Sequence, residues 1–315
     1  MPKITYVEAV NIALKEILAE NAKSYVLGED VGEYGGAFGA TKDLIVQYPN
    51  QVLETPISEA AIAGVATGSA MAGMYPILEI QFSDFLTVAM DQIVNQAAKI
   101  HYLSNGKVNV PMTIRAAIGS GTGASAQHSQ SFESWFTQVP GLIVIEPSNA
   151  EDAYRALKAA SSNLNPVLIL EPKALYKQSF DFENLTPLVI GKSEVKHLGN
   201  DLTIIAVGRM VNLALSIAQQ SVFSIEVIDP ITLSPLDETG LLQSAHKTGR
   251  VIILTDSVKQ GIASELASLI ALNSQAKVKQ LTAKFSPVPA AAALEKAFVP
   301  NHIELEAMVE ELLHG

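Results

Sequence analysis

The segment LTIIAVGRMVNLALSIAQQSVFSIEVIDP, residues 202–230, decides the fold class of this chain. Two runs rich in β-branched residues, 202–208 and 224–230, flank a stretch with helical spacing. Both runs are mainly apolar rather than strictly alternating, which is typical of parallel strands that are covered on both faces. The segment therefore predicts a strand–helix–strand unit with a right-handed crossover.

The same alternation continues over almost the whole chain. Further strands are predicted at 24–30, 75–80, 110–118, 141–147, 166–172, 250–256 and 277–283. Helices are predicted at 6–21, 59–73, 84–100, 212–220 and 263–272. We therefore expect an α/β fold made of two stacked three-layer α/β domains with mostly parallel sheets.

A polar segment at 174–200 has no sustained hydrophobic period for its length. We place the boundary between the two domains in this segment. The predicted first domain spans residues 1–175, the linker 176–199 and the second domain 200–315.

The composition excludes several classes of protein. Of the 315 residues 48% are hydrophobic and 17% are charged, which excludes a disordered chain. The net charge of −11 argues against binding to nucleic acid or to an anionic membrane. The absence of cysteine excludes disulfides, thiolate catalysis and iron–sulfur clusters. The first residues show no signal-peptide pattern, and no apolar run is long enough for a membrane span, so we expect a cytoplasmic protein.

Ligands of open α/β sheets collect beyond the carboxyl ends of strands, so the loops after predicted strands are the candidate sites. The loop 116–131 carries Gly119, Gly121 and Gly123, which resemble a phosphate cradle. Their spacing is not G-x-G-x-x-G and no P-loop lysine follows, so the nucleotide signature is weak. His128 in the same loop is either an acid–base group or a loop histidine held by hydrogen bonds, and the local sequence leaves both interpretations open.

The segment VLETPISEAAIAG, residues 52–64, also permits two interpretations. Ser58 is placed to cap the next helix, and Glu59 in its first turn complements the helix dipole. Alternatively, a carboxylate at the edge of a buried helix has a raised pKa that suits proton chemistry. The chain has no Gly-Asp-Gly motif with a downstream Asn, no Walker A motif, no H-E-x-x-H and no G-x-S-x-G.

Several long stretches together resemble a known family. They are ETPISEAAIAGVATGSAMAGMYPILEIQFSDF (54–85), DQIVNQAAK (91–99), AQHSQSFESWF (126–136) and VPGLIVIEPS (139–148). They resemble the beta subunit of the thiamine-diphosphate-dependent dehydrogenase component of 2-oxo acid dehydrogenase complexes. The resemblance covers nearly the whole chain and implies a transketolase-like pyrimidine-binding domain followed by a transketolase C-terminal domain.

The resemblance also implies site residues. Glu59 corresponds to the carboxylate that hydrogen-bonds the aminopyrimidine ring of thiamine diphosphate. The backbone of Ile57 and the side chain of Gln81 line that ring, and Phe85 lies beside it. His128 corresponds to the family's active-site histidine, and we expect it either to act as an acid in acyl transfer or to orient the substrate. Some relatives hold a structural potassium ion, and the residues that would bind it here are Met112, Ala160, Ser161, Asn163 and Asn165.

The same resemblance implies partners. An alpha subunit holds the diphosphate and its magnesium ion, and the two chains form an α2β2 heterotetramer that passes the acyl group to a lipoyl acyltransferase. The predicted substrate is pyruvate, with acetoin or a branched-chain 2-oxo acid as alternatives. A transketolase-like carboligase half, a non-catalytic assembly subunit and a nucleotide-binding module are the competing hypotheses. The chain departs from the family at 229–233 and 256–261, where the usual D-L-R-T-L and T-G-G patterns are missing.

Overall fold

The computed structural model describes residues 3–183 and 185–314, which form fourteen strands. In chain order the strands are β1 (Lys3–Thr5), β2 (Ser24–Gly28), β3 (Val52–Glu54), β4 (Tyr75–Ile80), β5 (Met112–Ile118), β6 (Ile143–Ile145), β7 (Pro166–Pro172), β8 (Ser179–Asp181), β9 (Glu194–His197), β10 (Leu202–Ala206), β11 (Ile225–Asp229), β12 (Thr232–Ser234), β13 (Arg250–Val258) and β14 (Lys277–Ala283). All nine strands that the sequence predicts are present, within a few residues of their predicted ends.

Eleven α-helices connect these strands in the described ranges. They are α1 (Tyr6–Glu20), α2 (Leu44–Gln47), α3 (Glu59–Met71), α4 (Ile100–Leu103), α5 (Glu133–Thr137), α6 (Ala150–Ser161), α7 (Met210–Gln220), α8 (Glu238–Thr248), α9 (Ile262–Asn273), α10 (Ala292–Phe298) and α11 (His302–His314). Helix α1 begins at a capping box in which Thr5 accepts from the backbone of Glu8 and the Glu8 carboxylate accepts from the backbone of Thr5.

One predicted helix is present but irregular. The segment 84–100 forms a 3₁₀ turn at Ser83–Thr87 and a π-helix at Gln92–Ala97 instead of a continuous α-helix. The Thr87 hydroxyl donates to the carbonyl of Asp84 at 2.7 Å, so a side chain competes with the regular backbone bonding of the helix.

The first sheet contains seven strands in the order β12-β6-β7-β5-β4-β2-β3. Its strands from β6 to β3 are parallel, and β12 is added antiparallel at the edge. The second sheet has the order β14-β13-β10-β11-β9 and is parallel except for β9. The α/β fold with mostly parallel sheets is therefore confirmed, with one antiparallel edge strand on each sheet. A two-stranded antiparallel ribbon joins β1 to β8.

The predicted segments and the sheets do not coincide everywhere. β9 lies in the predicted linker yet pairs with β11 of the second sheet. β12 lies in the predicted second domain yet pairs with β6 of the first sheet. The boundaries at 175 and 200 stay a prediction.

Two apolar layers cover the first sheet. Helices α1 and α6 pack on one face. The other face carries α3, and its apolar cluster continues without a break to α8, α9 and one face of the second sheet. Helices α7 and α11 cover the remaining face of the second sheet. One apolar core therefore joins the two sheets. Among the described helices, none is long and apolar enough to cross a membrane.

Candidate active site

The candidate site residues lie at the carboxyl ends of strands in the first sheet. Strands β3, β2, β4 and β5 are adjacent and parallel, so their carboxyl ends lie side by side. The segments that follow these ends carry the residues predicted to bind the cofactor, Ile57, Glu59, Gln81 and Phe85, and the predicted catalytic residue His128. This is the position at which open parallel sheets bind their ligands.

Glu59 is the first residue of α3 and is half-buried. The expected capping role of Ser58 is wrong, because its side chain makes no capping hydrogen bond. The backbone of Ser58 instead bonds the carboxylate of Glu29, which follows β2 and which the sequence analysis did not select. Burial raises the pKa of Glu29, and the charge of Glu59 raises it further. Two carboxyl groups whose like charges repel each other therefore lie together here, and Oε1 of buried Glu29 has no hydrogen-bond partner among the described residues.

Ile57 precedes Glu59 by two positions, and Gln81 contacts Asp30, which follows Glu29. Ile57 is 82% exposed. Nε2 of Gln81 donates to Oδ2 of Asp30 at 3.1 Å, which links the ends of β4 and β2. Asp30 has a φ of 55°, and this left-handed residue turns the chain sharply after Glu29.

Phe85 and His128 come together in an aromatic cluster. The His128 ring lies edge-on to Phe85, with ring centroids 5.3 Å apart, and edge-on to Phe82 at 4.9 Å. Phe82 in turn contacts Phe38 from the loop after β2, at 5.5 Å. The imidazole is therefore oriented by aromatic edges, because its side chain makes no hydrogen bond within the described residues.

A buried network of charged side chains links the strands next to the candidate site. The Arg115 guanidinium on β5 bonds Glu79 of β4 at 2.6 Å and Glu171 of β7 at 2.7 and 2.9 Å. Burial raises the pKa of Glu79, while the charge of Arg115 acts against this shift. The Glu79 carboxylate also accepts from the backbone of Ala37, so the network fixes the loop after β2 to the sheet.

Lys173 holds the His128 loop, and sequence reasoning missed it. This buried residue follows β7, and its ammonium group donates to the carbonyls of Gly119 and His128, the latter at 2.8 Å. Burial lowers the pKa of Lys173 to about 8. Gln130 anchors the far end of the loop, since its side chain donates to Asp84 at 2.7 Å. A lone lysine after an apolar strand is a weak sequence signal for this role.

The glycines that resemble a phosphate cradle already have an anion. The backbone amides of Gly121 and Gly123 donate to the carboxylate of Glu295 on α10. A nucleotide phosphate would need these same donors, so the loop gives no support to the nucleotide-binding hypothesis.

Three buried carboxyl groups lie behind the loop, between the two sheets. Oxygens of Glu133, Glu146 and Asp256 lie within 4.8 Å of one another. Nε of Arg209 contacts Asp256 at 2.5 Å. Burial raises the pKa of Glu133 to about 8, and the neighbouring Asp256 charge adds to the shift. Burial also raises the pKa of Glu146 well above its usual range. Protonation of these groups reduces the cost of burying like charges together.

The five residues predicted to hold potassium lie near one another, where α6 ends and where β5 and β7 begin. The fit is poor. Oδ1 of Asn163 already accepts from the backbone and side chain of Asn165, at 2.9 and 3.1 Å. The carbonyl of Ala160 accepts from the backbone of Asn163 at 2.9 Å. No step of the chemistry below depends on this ion.

The comparisons agree with this architecture. Residues 2–178 match the transketolase pyrimidine-binding domain, and residues 191–304 match the transketolase C-terminal domain. A solved split-gene transketolase, described as an inactive beta4 tetramer, superposes with a TM-score of 0.83 over 99% of this chain and 98% of that one. At 24% identity this likeness shows the fold alone. The chain is thus a transketolase-type protein with both modules.

Full-length relatives narrow the class. The chain is 40% identical to the 2-oxoisovalerate dehydrogenase subunit beta of Bacillus subtilis, with 99% of both chains covered. It is 37% identical to the acetoin:2,6-dichlorophenolindophenol oxidoreductase subunit beta of the same organism, over 98% of this chain and 97% of that one. It is also 37% identical to the pyruvate dehydrogenase E1 component subunit beta of Rickettsia bellii, with 99% of both covered. The chain belongs to the family of beta subunits of thiamine-diphosphate-dependent 2-oxo acid dehydrogenases.

Proposed function

We propose that this chain is the beta subunit of an enzyme that decarboxylates a 2-oxo acid oxidatively and passes the acyl group to a lipoyl group. The observation that carries the proposal is that Glu59, Gln81, Phe85 and His128 all follow the carboxyl ends of neighbouring parallel strands in a transketolase-type fold, with Phe85 and His128 in contact. When bound, thiamine diphosphate would supply the nucleophile and accept the electron pair that stays behind when carbon dioxide leaves.

The residues of this chain suit the pyrimidine end of that cofactor. The orphaned oxygen of Glu29 and the half-buried Glu59 offer a proton-sharing pair to a ring nitrogen. The Glu59 carboxyl would hold a proton at that nitrogen, and Glu29 with its raised pKa would keep a second charge from building up. Gln81 and the backbone of Ile57 would orient the ring, and Phe85 would exclude water from one of its sides.

His128 is assigned a later role. Its ring is held between Phe82 and Phe85, on the loop after β5. An imidazole there would donate or accept a proton at the substrate or at the incoming lipoyl sulfur. Cofactor activation is left to Glu59.

The partner subunits are part of the proposal. The sequence lacks the Gly-Asp-Gly motif that holds the diphosphate and its magnesium ion, and an alpha subunit would supply it in an α2β2 heterotetramer. Exposed apolar side chains on α3 and its flanks offer a surface for that subunit. These residues are Ile57, Val65, Met71 and Met74. A lipoyl acyltransferase would accept the acyl group, and a potassium ion at the site discussed above stays a prediction.

The substrate is proposed to be pyruvate. The names of the relatives include pyruvate, branched-chain and acetoin enzymes, so the side chain of the substrate is left to experiment. Relatives from Arabidopsis and rice are named as mitochondrial, and the cytoplasmic location stays a prediction for this chain.

The test is co-expression with an alpha subunit that carries the missing motif. The purified complex should reduce 2,6-dichlorophenolindophenol with pyruvate, and more slowly with 3-methyl-2-oxobutanoate or acetoin. His128→Ala should slow the lipoyl-dependent reaction far more than the dye reaction. Transfer between sugar phosphates without 2-oxo acid turnover would favour the carboligase hypothesis, and no turnover of any substrate would favour the assembly subunit.

A further inference from the structure

The His128 loop is held by the second domain as well as by its own. The Glu295 carboxylate on α10 accepts from the amide of Gly121 at 2.7 Å and from that of Gly123 at 3.0 and 3.2 Å. Glu295 is only 7% exposed. A second contact comes from α7, where the Arg209 guanidinium, at the start of the helix, donates to the Ser120 hydroxyl at 2.8 Å.

The loop conformation is shaped for this carboxylate. Gly119, Gly121 and Gly123 all have positive φ, at 83°, 109° and 73°. Left-handed residues let successive amides converge on one anion, which L side chains permit only with strain. A Cβ on Gly121 would lie 3.0 Å from the Cβ of Ala174 and 2.8 Å from Nη1 of Arg209. The glycine is therefore required both by φ and by space.

The contact reaches the candidate catalytic histidine through few residues. Glu295 fixes Gly123, five positions before His128, while Lys173 fixes the carbonyls of Gly119 and His128 from the first domain. A carboxylate on one side and an ammonium on the other therefore pull on the same loop. Charge-assisted hydrogen bonds of this kind are about twice as strong as neutral ones.

We propose that Glu295 is a positioning residue that tethers the glycine loop to the second domain and thereby sets where the His128 imidazole lies. This inference rests on the proposed function for its catalytic part. The tether makes the placement of His128 depend on how the two domains are packed. It also gives a reason for α10, a short helix, to contribute a buried acid to the first domain.

The first experiment measures the loop without any turnover. Hydrogen exchange of residues 119–131 is compared in the complex with an alpha subunit for the wild type, Glu295→Ala and Glu295→Gln. Loss of hydrogen bonds to a charged acceptor should speed exchange of the Gly121 and Gly123 amides by about 10- to 100-fold in Glu295→Ala. Glu295→Gln, which keeps one acceptor oxygen, should lie between them and serves as the variant that preserves folding. Lys296→Ala, an exposed site on the same helix, is the control.

The second experiment is a double-mutant cycle with His128→Ala in the lipoyl-dependent assay. If Glu295 acts through His128, the double variant should be no slower than His128→Ala alone. Losses that multiply would overturn the positioning role, because a general structural defect adds to any other. Unchanged exchange in Glu295→Ala would overturn the tether. If the wild-type complex turns over no 2-oxo acid, the proposed function fails, and the exchange result still decides whether Glu295 holds the loop.

Discussion

At the scale of single residues, Glu59 and Glu29 form a carboxyl pair in which each group has its own environment. Glu29 is buried and its pKa is raised, whereas Glu59 is half-buried and is the first residue of α3. We expect Glu59→Gln to lower turnover of the assembled protein by about 10²–10⁴-fold, because an amide cannot exchange the proton. The measurement is hydrogen–deuterium exchange at the thiazolium carbon of bound thiamine diphosphate. Glu310→Gln, at an exposed position on α11, is the control. Exchange at the wild-type rate in the Glu59 variant would contradict the proposed role of Glu59 in cofactor activation.

Glu133 makes stability depend on pH. Burial raises its pKa to about 8, above its usual value in an unfolded chain of about 4.3. The folded chain therefore binds a proton that the unfolded chain releases, and the contribution to stability is complete below about pH 4.3 and lost as pH rises through about 8. Glu133→Gln should flatten the fall in melting temperature over this range, measured by calorimetry. Parallel slopes in the variant and the wild type would contradict the prediction.

At the scale of elements, Gly141 decides how β6 enters the first sheet. Its φ is 95°, and an added Cβ would overlap the backbone carbonyl of Ala98, just after the π-helix. Gly73, at the end of α3, has a φ of 91° with nothing near an added Cβ. Gly73→Ala should cost only the left-handed conformation, about 1–2 kcal/mol, and Gly141→Ala clearly more. Chemical denaturation measures the free energy of unfolding of both variants. Equal losses of this free energy would show that the backbone at Ala98 moves to accommodate the added Cβ.

The sequence predicted long elements well and short edge elements poorly. The apolar parallel strands have a strong local signal, and all nine were found. The five strands it missed have three or four residues, for example β9 and β12, and gain their pairing from distant parts of the chain. The segment 84–100 has the composition of a helix, but periodicity does not reveal that its turns change from 3₁₀ at Ser83–Thr87 to π at Gln92–Ala97.

The candidate site was predictable only where a resemblance supplied the roles. Local patterns pointed to the loops of Glu59 and His128 but left their functions open. Glu29, Lys173 and Glu295 carry no local signal, because each acts across the fold. Glu295 binds an amide 174 positions away in the sequence, and only the packing of the two domains brings these groups together.

At the scale of the whole molecule, the apolar surface around α3 is the feature that calls for a partner. Val65 is 58% exposed on this helix, beside the edge that carries Glu59. Burying such a side chain at an interface contributes about 1.5–3 kcal/mol, and a charge there would have to be desolvated without a partner. We expect Val65→Asp to prevent assembly with an alpha subunit while the separate chain stays folded.

Val222→Asp is the matched control, because Val222 is 93% exposed and lies after α7, on the second domain. Light scattering of mixtures with the alpha subunit should show a heterotetramer for the wild type and the control, and separate subunits for Val65→Asp. Circular dichroism of each isolated chain checks that the fold is kept. If Val65→Asp forms a heterotetramer of wild-type stability, the alpha subunit binds elsewhere. A different surface would then have to cover the candidate site beside α3.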